Sequence, residues 1–159
     1  MLLTISLGYA FGMSRDVFAR RDPEDSLVYL LKHATARLHG LADAALEPLG
    51  IDGKELGVLR LLVGREPTSQ LEVARLLGVD RTTMVALLDG LEAKGVVTRR
   101  QDPTDRRRNV VELTHVGLAL YERADAAYAA AEKEFLSPAS ATDARALRQV
   151  LRAVVLSDR

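Results

Sequence analysis

The chain has 159 residues, 48% of them hydrophobic and 28% charged, which suits one ordinary globular domain with a real core. Its 22 basic and 22 acidic residues cancel, so the molecule as a whole is no basic nucleic-acid binder, and any such role must rest on local asymmetry. Cysteine is absent, which excludes disulfides, thiolate metal sites and thiol-based redox sensing. Aromatics are scarce while Ala, Leu and Arg abound, a composition that favours helix over sheet. The simplest expectation is a cytoplasmic location.

The first stretch, MLLTISLGYAFGM, is apolar but has no Lys or Arg ahead of it, and about twelve residues are too few to span a bilayer. A secretory signal is therefore disfavoured and no membrane association is expected. Two readings stand: a short extra helix or strand on the core, or a physiological start at Met13. Residues 1–22 are taken as an N-terminal extension.

From Asp25 the pattern turns helical. Leu27, Leu30, Leu31, Ala34, Leu38, Leu41 and Ala45 recur at three- and four-residue steps, until Pro48 and Gly50 end the helix. Asp52 and Glu55 have the spacing of a capping box ahead of Leu56, Leu59 and Leu62. Ser69 and Glu72 repeat it, with Leu71, Ala74 and Leu77 as the apolar stripe up to Gly78. Asp80 then caps a longer helix reaching about Lys94, closed by Gly95. Short helix, tight glycine turn, longer helix is the pattern of a helix-turn-helix.

Periodicity divides the second of these helices. Met84, Leu87, Leu88 and Leu91 share a core side, and Thr82, Ala86, Asp89 and Ala93 face away, with Val85 and Gly90 on the shoulders. The outward side is small and nearly uncharged, which suits a rod lying deep in a major groove. An ordinary amphipathic surface helix explains the stripe equally well, but not the missing Lys/Glu coat. Asp89 has no basic partner three or four residues away, so a long-range pairing with a hairpin arginine is expected.

The hairpin follows directly. Val96–Thr98 and Val110–Leu113 read as strands around a turn opened by Asp102-Pro103. Arg99, Arg100, Arg106, Arg107 and Arg108 crowd ten residues against only Asp102 and Asp105. Massing guanidinium groups on a solvated loop gains no stability, whereas each phosphate contact releases counterions. A merely solvated hairpin is the bland alternative.

Thr114 caps a long helix, Ser137-Pro138 interrupts, and Ser140 with Asp143 opens a last one carrying Leu147, Val150, Leu151, Val154 and Val155. These two helices and the first hold more apolar surface than a small reading unit can cover, so they are expected to pack together and against a second copy. Residues 23–50 and 115–159 are thus assigned to a helical dimerisation domain and 51–114 to a winged helix-turn-helix. The fold class is mainly α with a small β-hairpin wing.

From about Leu27 to Leu156 the chain resembles the MarR family of winged-helix regulators. The most specific stretch is Asp105-Arg106-Arg107-Arg108-Asn109-Val110-Val111-Glu112-Leu113-Thr114, similar to that family's D-x-R wing pattern. Pro48-Leu49-Gly50-Ile51, Leu87-Leu88-Asp89 and Lys94-Gly95-Val96-Val97 support it. The resemblance implies a homodimeric DNA-binding regulator, most simply a repressor, on a pseudo-palindromic site. Arg107 should enter the minor groove, positioned by Asp105, with Arg106 and Arg108 on phosphates. Other expected DNA contacts are Ser69, Gln70, Arg81, Thr82, Thr83, Val85 and Ala86. The chain departs from the family at Ala86 and Gly90, where a basic residue is frequent, and at Leu56, where an aromatic one is common.

Many members of that family respond to small aromatic or anionic effectors. Here His33, Arg37, Leu56, Arg60 and Tyr121 are the candidate pocket, with ordinary interface polarity as the plainer reading. His33, His39 and His115 lack ligand spacing, so no metal is expected, and no cofactor either. No catalytic motif is present, and the chain is not expected to be an enzyme. The rival is an effector-binding or protein-interaction module with weak DNA affinity on the same scaffold.

Overall fold

The structure, a computed structural model, describes residues 22–102 and 109–157. The N-terminal extension up to residue 21 and the hairpin tip at residues 103–108 lie outside the described residues. The chain divides into two units, one ending at Ala34 and one beginning at Thr35. In the first, a 3-10 turn (Pro23–Asp25) precedes the opening turns of helix α1 (Leu27–Leu46). Leu27, Val28, Leu30 and Leu31 are all exposed there.

In the second unit α1 buries Ala42 and Leu46 before a 3-10 turn at Glu47–Leu49, and Gly50 takes the left-handed φ of 69° that ends it. Helix α2 (Gly53–Leu62) starts at the expected box. The Asp52 carboxylate accepts from the Glu55 N–H at 2.8 Å, and the Glu55 carboxylate accepts from the Asp52 N–H at 3.0 Å. After strand β1 (Thr68–Ser69) come α3 (Gln70–Leu77) and α4 (Arg81–Ala93), then β2 (Val97–Gln101), β3 (Asn109–Leu113), α5 (His115–Phe135) and α6 (Ala141–Leu156).

Four features differ from the sequence expectation. The hairpin strands run farther toward the tip, with Gln101 facing Asn109 in register. A third strand joins them: β1 pairs antiparallel with β3, Thr68 opposite Val111 and Ser69 opposite Val110, giving the order β1-β3-β2. Two residues are too few to show a strand period, so β1 had no sequence signal. The α3 stripe is also displaced. Val73 and Ala74 are buried, whereas Leu71 is 75% exposed. Leu71 and Val73 lie on opposite sides of the helix, so the packing of Val73 and Ala74 against the core turns Leu71 outward. Ser69 forms only half the expected box: its hydroxyl accepts from the Glu72 N–H, but the Glu72 carboxylate turns to Arg75.

The core sits where α2, α3, α4, the sheet and the first half of α5 meet. Leu56, Leu59, Met84, Leu88, Leu91, Val97 and Val111 are fully buried in it. Thr114 fastens α5 to the sheet, its hydroxyl donating to the Gly95 carbonyl at 2.7 Å and accepting from the Gly117 N–H at 3.0 Å. Gly117 is required at that contact, because a Cβ there would overlap the carbonyl oxygen of Val96. Helix α6 is unlike the rest. None of its residues is buried, and Val150, Leu151, Val154 and Val155 all stand in solvent.

Candidate nucleic-acid interface

Helix α4 is presented by its start. Asp80 accepts from the Thr83 N–H at 2.9 Å and from the Thr83 hydroxyl at 2.6 Å. These bonds hold the Asp80 carboxyl below the ordinary aspartate range. Thr83 is thereby committed to the cap, while Arg81 and Thr82 beside it are exposed. Farther along, Met84, Leu88 and Leu91 are buried, Val85 is half-buried, and Ala86, Asp89 and Ala93 are exposed, the division that periodicity predicts. The outer face of this helix is therefore narrow, small in side chain and free of lysine and arginine beyond its first residue.

Ser69, Gln70 and Arg81 converge. With Leu71, Ala74, Met84 and Asn109 they line one depression of about 270 Å³ where the starts of α3 and α4 meet the tip-side end of β3. Among the described residues Arg81 is in no ion pair, so its cation is available at the rim. Asp105, Arg106, Arg107 and Arg108 lie outside the described residues.

The two strand arginines behave differently from a free cationic finger. Arg100 Nε lies 2.6 Å from Glu112 Oε1 on the neighbouring strand. Arg99 turns back onto α4, reaching Asp89 at 2.7 Å and Glu92 through both its guanidinium and its backbone N–H. The long-range partner expected for Asp89 is thus present, and it is Arg99. Glu92 as a second partner was missed, because a helix-to-strand contact seven residues apart follows no periodic rule. Lys94 was missed as well. Its ammonium donates to the Gly50 carbonyl and to Glu55, each at 2.7 Å, tying the end of α4 to the start of α2.

The proposed effector residues are scattered in role. In the first unit His33 stacks on Tyr29 with ring centroids 3.8 Å apart and donates from Nδ1 to the Tyr29 carbonyl. In the second, Arg37 is exposed and Leu56 is fully buried in the core. Arg60 pairs with Asp125 at 2.8 Å and lies 4.4 Å above the Tyr128 ring, and Tyr121 packs half-buried against the core. Among the described residues no group of three or more His, Asp or Glu side chains is placed to hold a metal. None of the described helices is long and apolar enough to cross a membrane.

Comparison with known proteins agrees with this geometry. The HTH-type transcriptional repressor Rv2887 of Mycobacterium tuberculosis is 34% identical over 125 residues, covering 79% of this chain and 90% of the relative. The transcriptional repressor CouR bound to a 23-mer DNA duplex is 30% identical, with a TM-score of 0.78 over 83% of this chain and 94% of that one. CouR from Rhodococcus jostii RHA1 bound to p-coumaroyl-CoA matches at 30% identity and a TM-score of 0.72, over 84% of this chain and 94% of that one. Residues 49–108, from the turn before α2 to the hairpin tip, match the MarR family as such. Members of this family are transcription regulators rather than enzymes; they generally bind DNA as dimers and often respond to ligands. On the strength of the Rv2887 match, the arrangement of α3, α4 and the wing, and the family match itself, the chain belongs to the MarR family of winged helix-turn-helix regulators.

Proposed function

We propose that this chain is a cytoplasmic homodimeric repressor that binds a pseudo-palindromic DNA duplex and is released by a small aromatic or anionic effector. The observation that carries this reading is the exposed face of α4. Thr82 and Ala86 stand out from a helix whose opposite side is fully buried, and Arg81 with the arginine-rich hairpin borders it. A helix surface without bulk or charge fits a major groove, and flanking cations supply phosphate contacts. The bare apolar face of α6 supports a second copy as its cover. CouR bound to a 23-mer duplex supports DNA as the partner, and by the family resemblance Arg107 would enter the minor groove beside each half-site, held by Asp105. CouR bound to p-coumaroyl-CoA supports effector release, and His33, Arg37, Leu56, Arg60 and Tyr121 remain the residues to vary.

The test is a salt titration of duplex binding. Affinity should fall by orders of magnitude between roughly 50 and 200 mM salt. Arg107→Ala should weaken binding by about 100-fold or more while leaving the dimer and the melting temperature nearly unchanged. One observation favours the rival reading, an effector or protein module with weak DNA affinity: Asp89, Glu92 and Glu112 neutralise both strand arginines. Weak binding with little salt dependence would decide for that module.

A further inference from the structure

Arg99 lies at the middle of β2 and is 24% exposed, although Thr98 and Arg100 on either side of it are exposed. Asp89 and Glu92 stand three residues apart on α4, hence one above the other on the same edge of that helix. The planar guanidinium bridges them, with Asp89 Oδ1 at 2.7 Å from its terminal nitrogen and Glu92 Oε2 at 2.9 Å from Nε. The other oxygen of Glu92 accepts from the backbone N–H of Arg99 at 3.1 Å. One glutamate therefore holds both the side chain and the main chain of the same strand residue. The mutual effect is visible in their ionisation: the hydrogen bonds from Arg99 hold the Glu92 carboxyl below its ordinary range, and Glu92, then Asp89, raise the guanidinium.

We infer that Arg99 is a positioning residue, which locks the wing to the reading helix through Asp89 and Glu92 so that both enter the duplex at one fixed angle, and is not itself a phosphate ligand. This rests on the DNA-binding reading above. A guanidinium between two carboxylates has no net positive charge to offer a phosphate, so it contributes nothing to counterion release. Lysine cannot replace it, because a single ammonium lacks the fork that spans two acids and fixes direction.

The two roles predict opposite signs for one substitution. Glu92→Gln removes a negative charge from the DNA-facing half of the molecule. If Arg99 were a phosphate ligand restrained by Glu92, this variant would bind more tightly. If Arg99 positions the wing, it binds more weakly, by about 10-fold, because a neutral amide holds the arginine less firmly. The probe is a duplex of about two to three helical turns, enriched from a random pool by the wild-type protein. Arg99→Ala should lose affinity by about 10- to 100-fold with the slope of log K against log salt unchanged, and Arg99→Lys should recover only part of it. Hydroxyl-radical footprints of these variants should lose the flanking protection of the wing and keep the central protection of α4. Tighter binding by Glu92→Gln, or a salt slope reduced by about 0.9 for each arginine removed, overturns the inference. If Arg99→Ala fails to fold, the sign of the Glu92→Gln effect still decides. A wild-type protein that enriches no duplex overturns the function and this role together, whereas a wild-type protein that binds while Glu92→Gln binds better overturns only the role.

Discussion

The reading unit and the last helix are built from similar residues and solve opposite problems. In α4, every third or fourth apolar side chain meets partners from α2, α3 and the sheet, so Met84, Leu88 and Leu91 lose all contact with water. In α6, Val150, Leu151, Val154 and Val155 have the same spacing and remain 40% to 65% exposed. An amphipathic stripe thus specifies that a face will be covered, but not by what. The reading unit closes on itself, whereas α6 leaves its apolar face uncovered among the described residues.

Substitutions can break this contrast, and the largest effect is expected at α6. Leu151→Asp with Val154→Asp should abolish the dimer in sedimentation equilibrium and reduce duplex affinity by more than about 100-fold, since a lone subunit presents one half-site. The same variant should keep the far-ultraviolet spectrum of the parent; a collapse of helix content would mean that α6 is core after all. In the reading unit the cost falls on stability. Leu88→Ala leaves a cavity and should destabilise by about 2–5 kcal/mol, read by urea denaturation. A loss below about 1 kcal/mol would show that α4 is loosely seated.

Much of this architecture was legible beforehand because it is written in local rules. Asp52, Ser69, Asp80, Thr114 and Ser140 each accept a bond from a backbone N–H three residues on, and each was marked by residue type and spacing alone. The buried and exposed sides of α4 followed from its period. What escaped was non-local. Strand β1 exists only because β3 passes beside it, and Leu71 lies outside the core because Val73 and Ala74 on the other side of α3 meet it. The arginine cluster read as one cationic unit with a single expected partner, Asp89, yet Glu92 and Glu112 also neutralise Arg99 and Arg100, and no sequence spacing connects these two acids to them.

Smaller effects sharpen the comparison. Asp80→Ala should lower the melting temperature through loss of the α4 cap. Because folding depresses the Asp80 pKa, its contribution is complete above the ordinary aspartate value and disappears as pH falls through the lowered one. The stability difference between parent and Asp80→Ala should therefore shrink in acid; a difference independent of pH would remove the carboxylate from the explanation. The smallest change expected is a gain. A Cβ at Gly90 would meet only Glu55 Oε1, at an ordinary 3.8 Å, so Gly90→Ala should raise stability by about 0.5–1 kcal/mol. A loss in the same melting experiment would point to crowding along α4.

Lys94 gives the molecule a lever. Its ammonium moors the trailing end of α4 to the carbonyl of Gly50, one residue beyond the turn that finishes α1. The thirteen residues of α4 extend about 20 Å from that mooring to Arg81. A tilt of about 5° at the anchored end therefore displaces the Arg81 end by nearly 2 Å, comparable to the helix displacements by which regulators change state. A modest strain arriving through the α1 turn would reach the Arg81 end of α4 magnified by the length of that helix.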